Sequence, residues 1–191
     1  MINKTCNTAG REVDLLVNYP RSERNVDMRE AGKTEADQAV ARRFGEEFFD
    51  GDRRHGYGGF AYHPRFWQPV VPTFRDYYGL TGESSVLDVG CAKGFMVRDL
   101  KELIPGISVN GIDISDYAIE CAEDDIRHDL EVADARDLPF DDSSFDLVVS
   151  INTIHNLDRG GVVRALGEIE RVSRNFAFVT VDAYRNEEER E

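Results

Sequence analysis

Between Ser85 and Val181, short apolar runs alternate with amphipathic stretches of helical length, and that order leaves few folds open. Ser85–Val89 and Phe145–Ile151 read as buried strands, because each is a compact apolar run of strand length. Residues 107–113, 130–133 and 175–181 read as three more. Helices are expected over 95–104, stopped by Pro105-Gly106, over 115–128 behind the N-cap Ser115, and over 158–173, with Val162, Leu166, Ile169 and Val172 on one face. Strand and helix in alternation predict an α/β fold, a doubly wound parallel sheet with helices on both faces. Such sheets bind ligands beyond the carboxyl ends of their strands.

The first 80 residues have a different texture, rich in Arg, Gly and aromatic side chains. The boundary falls near residues 79–85, giving an N-terminal helical or lid segment, 1–80, and a core, 81–191. Thr34 with Asp37 resembles a capping box. Ala36, Val40, Phe44 and Phe48 then mark one apolar helix face. Residues 51–59 read as loop. A second helix is expected over 66–78 with an irregular start, since Pro72 removes a backbone donor.

Charge divides at the same boundary. Residues 1–80 carry 12 basic and 12 acidic side chains, whereas 81–191 carry 11 and 25, so the net −14 belongs entirely to the core. An acidic surface repels phosphate backbones, so nucleic acid and anionic membrane are poor partners. No run of 18 apolar residues and no signal-type N-terminus is present, so no membrane span and no export are expected. Cys6, Cys91 and Cys121 form no metal or disulfide pattern, which favours a reducing cytoplasm and no metal. A homodimer stays open.

The chemistry starts at Val86-Leu-Asp-Val-Gly-Cys-Ala-Lys-Gly94, which leaves a strand and enters a helix. Gly90 and Gly94 let the backbone turn sharply and approach a ligand, and the free N–H groups at the helix start suit a polar or anionic group. The dinucleotide pattern fails, because Ala92 and Phe95 stand where its second and third glycines belong. That speaks against a nicotinamide-dependent oxidoreductase. What remains is an acid two residues before a glycine turn. Further acids end the next two strands, in Gly111-Ile-Asp113-Ile-Ser115 and Val132-Ala-Asp134-Ala135. The run 138–149, LPFDDSSFDLVV, leads into the fourth strand.

Taken in this order, the four motifs resemble the class I S-adenosylmethionine-dependent methyltransferases, in their small-molecule branch, over residues 84–181. The resemblance implies a Rossmann-like core, S-adenosyl-L-methionine as cofactor and a small-molecule methyl acceptor. It assigns Gly90 and Gly94 to the methionine part, with Asp88 orienting their loop. Asp113 would accept from both ribose hydroxyls. Ile114 would pack on adenine, Asp134 would accept from the adenine amino group, and the Ala135 N–H would donate to a ring nitrogen. Family members often have glycine where Ala92 stands, and alanine is expected to be tolerated there at negative φ. Asn152 would meet the cofactor or the acceptor. His155 is the candidate general base, although a base matters chiefly for a hydroxyl acceptor.

The stretch 55–67, HGYGGFAYHPRFW, combines glycines with aromatics and suits a lid that orders on ligand binding. Acceptor selection is expected there, centred on Tyr57, Tyr62, His63 and Arg65. Arg21, Arg24 and Arg29 read as a cationic wall or, with their acidic neighbours, as a solvated face. The family sheet ends in an antiparallel hairpin that this sequence is expected to lack, which leaves the fifth strand as an apolar edge. Two functions follow: methyl transfer to an oxygen or nitrogen of a small molecule, or a non-catalytic S-adenosylmethionine-binding partner subunit.

Overall fold

The computed structural model describes residues 13–20 and 34–181. Helix α1 (Glu35–Ala41) begins as expected: the Thr34 hydroxyl accepts the Asp37 N–H, and the Asp37 carboxylate accepts the Thr34 N–H. The apolar row beyond it does not stay on one helix. Phe44 sits at φ +49, in the left-handed region, and ends the helix; the short α2 (Glu46–Phe49) starts afresh after Gly45. Helix α3 (Val71–Tyr78) begins later than its apolar pattern suggests. Pro72 then lies in the first turn, where a missing N–H costs nothing, and residues 66–70 form turns instead.

Five parallel strands form the sheet: β1 (Ser85–Val89), β2 (Ser108–Asp113), β3 (Leu130–Val132), β4 (Phe145–Ile151) and β5 (Ser173–Thr180). Their order is β3-β2-β1-β4-β5. The chain winds outward from β1 to β3, then returns to the other side of β1, which puts the crevice of such folds between β1 and β4. Val86 stands opposite Val109 and Leu147, and Asp88 opposite Gly111 and Val149.

Alternate strand residues feed two cores. Val86, Val109 and Leu147 pack with Phe74 of α3 and Val97 and Leu100 of α4 (Phe95–Leu103). Leu87, Val89, Ile112 and Val148 pack with Ala165, Ile169 and Val172 of α6 (Arg159–Val172). Each such side chain, fully buried, contributes roughly 1.5–3 kcal/mol by removal from water. Leu15, Val70 and Val71 belong to the first cluster, so the N-terminal segment and the sheet share one core.

Two helices differ from their patterns. Helix α5 (Asp116–Glu120) is capped by Ser115 but stops well short of residue 128. Glu120, Glu123, Asp124 and Asp125 crowd its carboxyl end, where the helix dipole disfavours negative charge. In α6, Gly161, Ala165, Ile169 and Val172 are buried and Leu166 is exposed, so the stripe is rotated from the one expected. Asp158 caps α6 by accepting the Gly161 N–H at 2.7 Å. No helix among the described residues is long and apolar enough to cross a membrane. Arg21, Arg24, Arg29 and the chain after Val181, where a terminal hairpin would fall, lie outside the described residues.

Candidate active site

A cavity of about 340 Å³ opens beyond the carboxyl ends of β1, β2 and β4. One wall is the sheet: Gly90, Ala92, Asp113, Ile114, Asp134, Ala135, Arg136 and Asn152 line it. The facing wall comes from the N-terminal segment, through Arg42, Arg43, Phe44, Phe48, Phe49 and Tyr57.

The turn after β1 is held by its neighbour strand. The Gly90 and Cys91 N–H groups both donate to the Ile112 carbonyl, at 2.7 and 2.9 Å. Gly90 has φ +87, and a Cβ there would fall 2.1 Å from the Thr153 hydroxyl oxygen, so only glycine fits. Gly94, at φ +75, does not line the cavity. A Cβ there would strike Leu130 and Ile126 within 2.8 Å, so its glycine serves the packing of α4 on the sheet. Ala92 corrects an expectation: its φ is +51, not negative. A left-handed alanine costs roughly 1–2 kcal/mol, and a hydrogen bond from its N–H to Asp113 Oδ2, at 2.8 Å, secures it.

Asp113 therefore also has a structural role. Its Oδ2 accepts from Ala92 and its Oδ1 from the Ser115 N–H at 2.9 Å. Burial raises its pKa, and the Ser115 and Ala92 N–H groups oppose that rise. An ionised carboxylate has about four acceptor sites, so roughly two remain for hydroxyls. Asp88 has a harsher environment. It is 6% exposed, has no hydrogen-bond partner among the described residues, and is pushed up to about 7 by burial and then by the Asp113 charge. It lies behind the lining rather than on it. Two acids so close, one of them without a protein donor, suit a ligand that brings a cation.

Asp134 ends β3 within a fork: Arg136 Nε approaches its two oxygens at 2.9 and 3.0 Å, and the Arg136 N–H donates to Oδ1 at 2.8 Å. Arg136 holds the Asp134 carboxyl below the usual range. Ala135 lies beside it on the wall, and Ile114, 54% exposed, offers an apolar platform. Asn152 adopts φ +52, which asparagine tolerates, and Thr180 fixes it from β5 by donating to Asn152 Oδ1 at 3.2 Å. His155 sits on the short 3-10 turn Ile154–Asn156 but does not line the cavity, whereas Thr153, Asn156 and Leu157 do.

On the facing wall, Tyr57 alone of the four expected acceptor residues reaches the cavity. Tyr62 turns onto α4 instead, donating to Asp99 at 2.6 Å beneath the Arg98 guanidinium, and burial with the Asp99 hydrogen bond pushes its pKa up to about 12. His63 Nδ1 accepts the Arg65 N–H, and Arg65 lies over Phe66, both away from the cavity. The sequence reading missed Arg42, Arg43, Phe44, Phe48 and Phe49. The apolar row through Phe44 and Phe48 was the available signal.

Asp50 ties this wall to the sheet. Its Oδ2 accepts from Lys93 at 2.6 Å and from the Tyr117 hydroxyl at 2.7 Å, and its Oδ1 accepts the Phe60 N–H at 2.9 Å. Burial works against its charge, but those three donors together hold its carboxyl below the usual range. Tyr57 packs on Phe60 and Phe60 stacks on Phe95 at 4.8 Å, which continues the anchor onto α4.

Comparison with known proteins agrees with this geometry. Residues 86–175 match the family model of the methyltransferase domain. Residues 86–175 are thus a methyltransferase domain of the class I S-adenosylmethionine-dependent kind. The methyltransferase domain is 35% identical over 112 residues to the ubiquinone/menaquinone biosynthesis C-methyltransferase UbiE of Citrifermentans bemidjiense, covering 54% of this chain and 46% of that protein. It is 34% identical over 101 residues to 27-O-demethylrifamycin SV methyltransferase of Amycolatopsis mediterranei, covering 49% and 37%. The chain thus spans less than half the length of these curated relatives. Among solved structures, the cyclase SpnF matches with TM-score 0.50 at 25% identity, over 56% of this chain and 41% of that one. A Methanococcus maripaludis protein named for S-adenosyl-L-methionine-dependent methyl transfer matches with TM-score 0.54 over 65% and 58%, and at 20% identity it speaks for the fold alone.

The methyltransferase domain fits its family's cofactor, S-adenosyl-L-methionine, on two observations: the spare acceptor sites of Asp113 on the cavity wall, and the carboxyl of Asp88 behind it, which has no protein hydrogen-bond partner among the described residues. Among the described residues no cluster of His, Cys, Asp or Glu could hold a metal ion.

Proposed function

We propose that this chain is a methyltransferase that moves the methyl group of S-adenosyl-L-methionine to an oxygen or nitrogen atom of a small molecule. The observation that carries the reading is the convergence of Gly90, Asp113, Asp134 and Asn152, from four strand ends, on one cavity wall. The bound cofactor supplies an electrophilic sulfonium methyl. Gly90 lets the chain lie against its methionine part, Asp113 holds the ribose, and Asp134, Ala135 and Ile114 hold the adenine. Asn152 borders the reacting end. The N-terminal segment supplies the facing wall.

No imidazole, thiol or amine lines the cavity among the described residues. Alignment in a closed site is then the main source of rate, and it can supply roughly 7–11 kcal/mol. His155 enters as a base only if its turn rearranges with ligand. Cys91 and Cys121 are free thiols, in keeping with a reducing cytoplasm.

Two measurements test the reading. Calorimetry with S-adenosylhomocysteine should show binding, weakened by roughly 1–3 kcal/mol in Asp113→Ala, which leaves ribose hydroxyls unpaired. Incubation with methyl-labelled cofactor and fractionated metabolites should then label a small product. Absence of binding sinks the reading. Binding with no transfer to any fraction turns it to the second function, a cofactor-binding protein without methyl transfer.

A further inference from the structure

We infer that Arg42 and Arg43 form an anion subsite for the methyl acceptor, which carries a carboxylate or phosphate on a flat apolar body. The inference rests on the methyltransferase reading and names the class of its acceptor. Both arginines line the cavity, on the wall that faces the recognised cofactor contacts. Neither has a carboxylate within ion-pair distance among the described residues. Arg98, Arg136, Arg171 and Arg174 each sit on an acid; of the described arginines without one, Arg42 and Arg43 alone line the cavity. In a chain of net charge −14, two adjacent cations left without acids at a cavity wall mark a place where an anion is wanted.

The turn that presents them is fixed, not floppy. The Arg42 N–H donates to Gln38 and the Arg43 N–H to Val40, closing the end of α1. Phe44, next in the chain, holds a left-handed conformation that a bulky side chain avoids. Its carbonyl accepts the Ser115 hydroxyl, from the turn that follows Asp113. The backbone that carries the two arginines is thus tied to the turn after β2. The rings of Phe44, Phe48, Phe49 and Tyr57 line the same cavity, with Phe49 stacked on Tyr57 at 5.9 Å.

The two walls differ in sign. The sheet offers Asp113, with Asp88 behind it, to a donor that carries ammonium and sulfonium charges. The opposite wall offers paired guanidinium groups, which bind carboxylate and phosphate through charge-assisted hydrogen bonds. Aromatic rings beside them suit a planar body.

The test uses the full chain saturated with S-adenosylhomocysteine and three matched probes: naphthoate, naphthyl phosphate and the neutral naphthamide. Fluorescence titration should show one or both anions binding about tenfold or more tighter than the amide, as one or two charge-assisted bonds provide. Which anion binds tighter tells carboxylate from phosphate. The preference should vanish in Arg42→Gln/Arg43→Gln and persist in Arg42→Lys/Arg43→Lys, with S-adenosylhomocysteine affinity unchanged in both. Equal affinity for all three probes, or no binding of any, overturns the anion subsite and leaves the methyltransferase reading standing. A parallel loss of S-adenosylhomocysteine affinity in the Gln variant overturns it too, because the arginines would then hold the donor. Failure of the unaltered chain to bind S-adenosylhomocysteine instead strikes the underlying reading.

Discussion

The two walls of the cavity are built by different means. On the sheet side, Asp113 bonds Ala92 and Ser115, Gly90 and Cys91 bond Ile112, and Asn152 bonds Thr180. Each polar group is fixed by backbone or by a neighbouring strand, so the wall is set before any ligand arrives. On the N-terminal side, α1 and α2 bury little beyond Phe49 and lean on the sheet through Asp50, Phe44 and a ladder of rings. A wall tied at few points can be altered, or opened, without disturbing the sheet. Under the proposed function, cofactor contacts gain from the first kind of construction and acceptor selection from the second, since one cofactor serves acceptors of many shapes.

The largest expected effect sharpens the picture of the sheet side as pre-set at a cost. Asp88 is pushed up to about 7 by burial and then by Asp113, against an unfolded value of about 3.9. A raised folded pKa means that the native state binds the proton more tightly than the unfolded chain. The stabilisation is therefore complete below about pH 4 and is lost as pH rises through about 7, by on the order of 4 kcal/mol. The depressed carboxyls, Asp50 and Asp134 among them, act oppositely and at lower pH. The difference between the chain and Asp88→Asn isolates the effect. Urea unfolding from pH 4 to 8 should show Asp88→Asn gaining relative stability as pH rises. Parallel curves would mean that Asp88 is solvated. Cofactor at saturation should flatten the slope if its ammonium satisfies that carboxylate.

This asymmetry also decides what was legible in the sequence. Ser85–Val89 and Phe145–Ile151 end where their apolar runs end, because a strand buried on both faces has no freedom to place its polar residues elsewhere. Gly90, Asp113 and Asp134 sit at strand ends, so placing the strands placed them. The other wall depended on contacts far apart in the chain. Nothing near Phe44 announces that its carbonyl will meet Ser115, 71 residues on, yet that contact accompanies the break of the helix and the placement of Arg42 and Arg43 at the cavity. Tyr62, His63 and Arg65 drew attention by composition, but a tyrosine beside a buried acid pairs with it, and Asp99 supplied that partner. For His155, the three-residue repeat of the 3-10 turn sent Thr153 and Asn156 to the cavity and the imidazole elsewhere.

A smaller effect should break the comparison from the other side. Asp50→Ala removes the partner of Lys93, which is 8% exposed, and the acceptor of Tyr117 and of the Phe60 N–H. Leaving such groups unpaired costs roughly 1–3 kcal/mol, more where a charge stays buried. The loss should fall on the N-terminal wall. Hydrogen exchange should speed up over residues 45–62 while β1 and β4 keep their protection. Equal acceleration in the sheet would mean that the two walls are one cooperative unit. Asp50→Asn, which keeps an acceptor, should recover part of the protection.

The smallest effect tests whether the sheet wall carries residual strain. Ala92 holds φ +51, and the bond from its N–H to Asp113 keeps it there. Glycine adopts that conformation freely, which removes roughly 1–2 kcal/mol of steric cost. It also gains freedom in the unfolded chain, which offsets about 0.4–1 kcal/mol of that benefit. The net gain of Ala92→Gly should lie between about 0 and about 1.6 kcal/mol, read as a small rise in the urea midpoint at unchanged slope. A loss of stability would show that the methyl group packs favourably enough to outweigh its backbone. The more telling readout is cofactor affinity. If the Asp113 bond alone fixes the loop, Ala92→Gly should bind S-adenosylhomocysteine as tightly as the unaltered chain, because the loop keeps its anchor. If the alanine itself restricts the loop, freeing it should weaken binding even as the fold becomes more stable, and the pre-set character of this wall would then rest on Ala92 as well as on Asp113.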